Sequence, residues 1–208
     1  MPNLLQHPWK RLIPLVPFAD HCTIAEAAFW QPLFQNAGVA EEHEAVFSGH
    51  ATVRLTRWKL LNFAYPNPQQ KCLEVLLWGY PTGIQGQQHL EFLQNLNNIA
   101  AAAVIYAPWA DYYMQLHALG NLGISTITKL AYFFQRSFEG FRSLILDRKM
   151  ISIIAGGNWD PLHMPGLDYD HAPRRYVDYL RQMHMVAEMI HSMPDQLELF
   201  LFSWGEAF

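Results

Sequence analysis

The chain has 208 residues, 51% of them apolar and 15% charged, which excludes a disordered polymer and leaves room for one domain or two small lobes sharing a core. Its net charge of −4 argues against a protein that grips nucleic acid over its whole surface. No apolar run approaches the ~20 residues of a membrane-spanning helix. Two cysteines, Cys22 and Cys72, exclude a four-cysteine iron–sulfur cluster and read as reduced thiols of a cytosolic protein.

In chain order, residues 1–16 carry Pro2, Pro8 and Pro14 and no small-residue cleavage site, so no signal peptide is expected. Thr23 reads as a helix N-cap, with Glu26 completing a capping box. Pro32 should kink or end that helix before the Asn36-Ala37-Gly38 break. Between residues 43 and 58, Phe47, Ala51, Val53 and Leu55 alternate with polar residues around Gly49, which predicts a short hairpin or irregular strands. Tyr65-Pro66-Asn67-Pro68 is a turn, and a helix over 69–78 should end at Gly79-Tyr80-Pro81-Thr82-Gly83. A long helix over 89–106, interrupted near Asn95 to Asn98 and buried along the uncharged stretch 100–107, closes at Pro108. Amphipathic helices follow over 110–119 and 126–135, then a helix over 146–154 and a loop over 155–173 rich in Gly, Pro and Asp. Two last helices cover 174–191 and 194–202. The expected fold class is mainly α, with a small β element in the first third.

The turn Leu119-Gly120-Asn121-Leu122-Gly123-Ile124-Ser125 carries the strongest functional signal. It should leave backbone N–H groups free at the mouth of the second helix, where the helix dipole also favours an anion such as a DNA phosphate. Asp147 lies twenty residues after Ile127, placed to act on the sugar beside that phosphate. Between Gly120 and Ala155 there are five basic residues (Lys129, Arg136, Arg142, Arg148, Lys149) against two acids (Glu139, Asp147), so a local positive face is available.

This arrangement resembles the helix-hairpin-helix (HhH-GPD) DNA glycosylase superfamily, and within it the 8-oxoguanine DNA glycosylase-like members. Their turn reads Leu-Pro-Gly-hydrophobic-Gly and precedes a helix and a catalytic Asp. Gly123-Ile124-Ser125 takes the place of Gly-hydrophobic-Gly, and Asp147 that of the catalytic acid. Asn121 and Leu122 depart from Leu-Pro, Ser125 replaces the second Gly, and Ile127 stands where lyase-type members carry a nucleophilic Lys. The resemblance implies one glycosylase domain over 1–208, with the hairpin at about 110–136 and the Asp helix at about 146–155, in which two helical lobes enclose a base-binding cleft. It also implies hydrolysis by water with little lyase activity. Lys129, about 200° round the helix from Ile127, should meet phosphate or solvent. Asn121, Gly123, Ser125, Thr126, Lys129, Arg148 and Lys149 are the expected DNA contacts. The alternative reading of the same residues is a non-catalytic hairpin with Asp147 as a cap.

Glu198 and Phe202 take the places of a polar residue and a Phe that contact the flipped base in the last helix of 8-oxoguanine glycosylases. Gln196 and Phe200 share that spacing, and Trp78, Tyr80 and Trp159 are further aromatic candidates for the base pocket. Asn97-Asn98-Ile99-Ala100 is similar to a family segment that fills the gap left by the flipped nucleotide. His163, Asp168, Asp170 and His171 read as a turn-rich loop and not a metal site. No metal or organic cofactor is expected beyond a monovalent cation on the hairpin carbonyls, which the resemblance alone implies. The expected partner is duplex DNA, met by a cytoplasmic monomer that joins the nucleoid when bound. The expected substrate is an oxidised purine such as 8-oxoguanine, or a hypermodified base in foreign DNA.

Overall fold

A computed structural model describes residues 2–82 and 86–207. Gly83, the last residue of the expected Gly79 to Gly83 break, lies outside the described residues. The elements run α1 (Trp9–Leu12), two short 3-10 turns (Ile13–Leu15, Phe18–Asp20), β1 (Cys22–Glu26), α2 (Ala27–Ala37), α3 (Ala40–Phe47), β2 (Thr52–Thr56) and α4 (Arg57–Asn62). There follow α5 (Pro68–Gly79), α6 (Gly86–Gln94), α7 (Leu96–Ala103), α8 (Trp109–Ala118), α9 (Ile124–Phe133), β3 (Ser137–Phe138), β4 (Phe141–Arg142), α10 (Arg148–Ala155), α11 (Ala172–Met189) and α12 (Pro194–Trp204). The described residues are mainly helical, as the pattern predicts, with the expected small sheet in the first third and a second two-stranded sheet later in the chain. Among the described residues no helix is long and apolar enough to cross a membrane.

The first third departs most from the sequence reading. Thr23 is not a cap but a strand residue. β1 pairs antiparallel with β2, Thr23 opposite Leu55, and the Thr23 hydroxyl donates to the Trp78 carbonyl (2.9 Å). A long-range partner has taken the side chain that local pattern gave to a helix end. Helix α2 starts four residues later and runs through Pro32 to Ala37, because Trp30 and Phe34 are fully buried on its inner face. It ends where Gly38 adopts a left-handed φ of 76° and caps it. Residues 40–47 form a helix, not a strand; Glu41 and Glu42 favour its first turn, and the alternation survives only in β2.

From α5 onward the expected helices are present. However, α7 ends at Ala103, and Val104, Ile105 and Tyr106 are exposed, so the stretch 100–107 is not one buried helix. Asn67 caps α5 by accepting from the Gln70 N–H (2.8 Å), with Pro68 at its first position. The interruption at Asn95 separates α6 from α7. α9 is the central helix, buried from Ile127 through Phe133 and packed against α5 and α8. The β3–β4 hairpin, which sequence pattern did not assign, turns at Glu139 and Gly140 and leads into the segment before α10.

Candidate active site

A cavity of about 220 Å³ opens where the first third of the chain meets the last. His21, Thr23, Arg57 and Trp78 form one wall; Lys129, Ile145, Asp147, Glu198 and Phe202 form the other. Each element delivers its residue for a local reason. Asp147 is the N-cap of α10, its Oδ1 accepting from the Met150 N–H (2.9 Å). The residue expected as catalyst is therefore also a cap, half-exposed at the head of a helix.

The extended segment before Asp147 is buried and held by side chains from three helices. Tyr176 donates to the Leu144 carbonyl (2.6 Å) and Tyr179 to that of Ile145 (2.9 Å). The Ile145 N–H donates to Glu198 Oε2 (3.0 Å), and the Leu146 N–H to the Thr128 hydroxyl (3.1 Å). Loop backbone seldom lies this deep unless its polar groups are matched in this way. Burial drives the Tyr176 and Tyr179 hydroxyls well above their ordinary range, so both remain protonated donors.

Glu198 lines the cavity as expected, but its carboxylate is already engaged. Oε1 pairs with Arg57 Nη2 at 2.7 Å with both side chains at most 2% exposed, and Oε2 takes the Ile145 N–H. The guanidinium also lies 5.4 Å from the Trp78 ring centroid and 5.3 Å from that of Tyr132. Deeper still, Asp195 accepts from the Tyr132 hydroxyl (2.6 Å) and from Arg142.

Lys129 is the main correction. It does not face solvent: its side chain is 6% exposed and enters the cavity, where Nζ donates to Ser125 Oγ (2.5 Å) and sits 5.2 Å from the Tyr80 ring. The 200° offset from Ile127 is real, but α9 is enclosed, so the face opposite the core is the cleft. Gly79 makes this possible, since a Cβ there would lie 2.8 Å from Lys129 Cδ. Ile127 is fully buried in the core.

The hairpin mouth is also less open than its sequence implies. Asn121 is exposed with a left-handed φ of 52°, Gly123 caps α9, and the Thr126 hydroxyl pairs with that of Tyr80 (2.8 Å). Tyr169 covers the turn: its hydroxyl contacts Gly123 and meets the Ser125 N–H, and the Arg148 guanidinium lies 5.3 Å from its ring. Two of the turn carbonyls expected to hold a cation already accept hydrogen bonds. That of Leu122 is taken by His117 (2.9 Å) and that of Gly123 by the Thr126 and Ile127 N–H groups. Lys149 reaches over Phe202 (5.1 Å) at the rim.

Two aromatic candidates lie elsewhere. Phe200 and Trp159 are 4% and 1% exposed and pack on each other and on Trp9, on the side of α12 away from Phe202. Gln196 is bound to the Pro14 carbonyl (2.5 Å), and Asn97 meets Gln69 outside the cleft. Asp168 pairs with His171 (2.7 Å), and among the described residues no third ligand joins them. Arg57 and His21 were missed altogether. Nothing local marks Arg57, whose partner is 141 residues away.

No curated protein and no solved structure matches the chain. The family described as "Putative 8-oxoguanine DNA glycosylase OGG-like protein" matches residues 19–202, a span that contains both walls of the cleft. The chain belongs to this OGG-like family.

Proposed function

We propose that this protein is a helix-hairpin-helix DNA glycosylase that takes a damaged or modified base, an oxidised purine above all, from duplex DNA and cuts its N-glycosidic bond. The observation that carries the reading is the sharing of one base-sized cavity by a carboxylate, Asp147, an amine, Lys129, and an aromatic wall, Phe202 and Trp78. At about 220 Å³ the cavity is smaller than the roughly 300–1,000 Å³ of most ligand pockets and suits a single flipped base.

Departure of a base with the bonding electron pair leaves the sugar C1′ electron-deficient, and the Asp147 carboxylate stabilises that charge. Lys129 favours more than hydrolysis. Its neutral amine can bond to C1′ as the base leaves with the electron pair and one amine proton. The C1′–O4′ bond then breaks, the second amine proton passes to O4′, and the imine that remains leads to strand cleavage. Arg148 and Lys149, in the first turn of α10 beside Asp147, supply charge for phosphates flanking the extruded nucleotide. Glu198 holds the Asp147 segment instead of reading the base.

Duplexes each bearing one modified base, scored for strand breaks before and after alkali, test this function. Breaks at one class of modified base support it, and breaks before alkali support the amine. Binding with no break in any duplex would leave the non-catalytic hairpin as the reading.

A further inference from the structure

The cleft holds more hydrogen-bond donors than the protein satisfies. Trp78 is 6% exposed, yet its indole N–H has no acceptor among the described residues. Arg57, 1% exposed, gives Nη2 to Glu198, while Nε and Nη1 make no well-formed hydrogen bond. The Tyr132 hydroxyl, which donates to Asp195, interacts with the guanidinium and offers at most one acceptor to the two. His21 Nδ1 is also unpartnered, its ring edge-on to Trp78 at 5.2 Å. Burial, aided by the Arg57 cation, lowers His21 to about 4, so the ring is neutral at pH 7, with one nitrogen donating and the other accepting.

These nitrogens are shielded from solvent, so water in the bulk does not replace the missing partners. Unsatisfied buried donors are costly and uncommon, and several in one cavity call for a guest that completes them. Indole and guanidinium can only donate, so the complementary edge of the guest must accept. Glu198 does not supply it, because both its oxygens are engaged.

We propose that Arg57 and Trp78 form a donor corner, joined by His21 in its Nδ1–H tautomer, that selects a base presenting a carbonyl oxygen to it and rejects one presenting an amino group. The proposal rests on the glycosylase reading and assigns recognition to residues of α4 and α5 instead of the last helix. These nitrogens have almost no accessible surface, so a guest reaches them only if a rim side chain gives way; Phe202, half-buried beside His21, stands at that rim. An amino group against this corner would set donor against donor, leaving both sides unpaired.

The test compares 8-oxoguanine with 8-oxoadenine, which share the C8 carbonyl and carry a carbonyl and an amino group, respectively, at position 6. A third base, 8-oxohypoxanthine, has the position-6 carbonyl without guanine's 2-amino group and must be released as 8-oxoguanine is. Each is placed opposite cytosine, so the mispaired 8-oxoadenine is the easier base to extrude and the design works against the proposal. Under single-turnover conditions 8-oxoguanine should be released at least about tenfold faster. Trp78→Phe keeps a ring against Phe133 and removes the N–H; it should slow 8-oxoguanine release about tenfold more than it slows 8-oxoadenine release. Equal release of 8-oxoguanine and 8-oxoadenine, release of 8-oxohypoxanthine only as slowly as 8-oxoadenine, or equal slowing of 8-oxoguanine and 8-oxoadenine by Trp78→Phe at an unchanged melting temperature, would overturn the donor corner while the glycosylase stands. Absence of release from every modified duplex would overturn the glycosylase reading and the donor corner with it.

Discussion

Glu198→Gln removes the charge that neutralises Arg57 while keeping nearly the same shape. Both side chains of the pair are at most 2% exposed, so no solvent replaces the lost carboxylate. The glutamine oxygen can accept from Arg57 or from the Ile145 N–H, and its amide then faces the other donor. Removing one partner of a buried ion pair costs about 3–5 kcal/mol. A domain of this size has only about 5–15 kcal/mol in all. With Tm falling about 2–4 °C for each kcal/mol, the variant should melt roughly 6–20 °C lower. Adding Arg57→Met removes the orphaned cation and leaves the glutamine oxygen for Ile145, so the double variant should recover most of the loss. Urea titrations of the wild type, both single variants and the double variant close the cycle. Because Ile145 lies two residues before Asp147, turnover should suffer more than affinity for an abasic duplex. A loss below about 1 kcal/mol for Glu198→Gln, or strict additivity in the double variant, would refute the claim that this pair is tightly coupled.

Borohydride should trap a covalent adduct between the wild type and DNA, and Lys129→Ala should abolish the trapping; trapping that survives would remove Lys129 from the chemistry. Gly79→Ala should push the flexible Lys129 side chain aside, cutting trapping severalfold with little change in Tm, whereas unchanged trapping would mean the amine does not need that path. His21 should make stability pH-dependent. Its folded value of about 4 lies below the ordinary 6.5, so the unfolded chain binds more protons between these values. Its contribution is complete above pH 6.5 and lost as pH falls toward 4, and His21→Gln should flatten the slope of stability between pH 4 and 6.5 relative to wild type. Identical slopes would show that His21 titrates normally.

What the sequence made legible were the features encoded locally. The hairpin, the α6–α7 break, the head of α10 at Asp147, and Phe202 one turn beyond Glu198 all follow from capping residues, glycines and helical spacing. What it hid were side chains claimed by distant partners. Thr23 fits a capping box, yet its hydroxyl serves the Trp78 carbonyl 55 residues away. Arg57 has no local signature because its environment is assembled from α5, α9 and α12. Lys129 was misplaced because its angular offset was right but its surroundings were assumed to be water. Phe200 and Phe202, two residues apart, divide between core and cleft, a choice that only the packing of α12 against Trp9 and Trp159 decides.

The most direct measurement is chromatographic detection of free base released from a duplex by the wild type and by Asp147→Asn. Asparagine keeps an oxygen for the Met150 N–H, so the head of α10 should remain capped. The wild type should release the base, and the variant should be at least about a hundredfold slower with its affinity for an abasic duplex nearly unchanged. Base release at wild-type rate by Asp147→Asn, or none by the wild type from any modified duplex, would contradict the account.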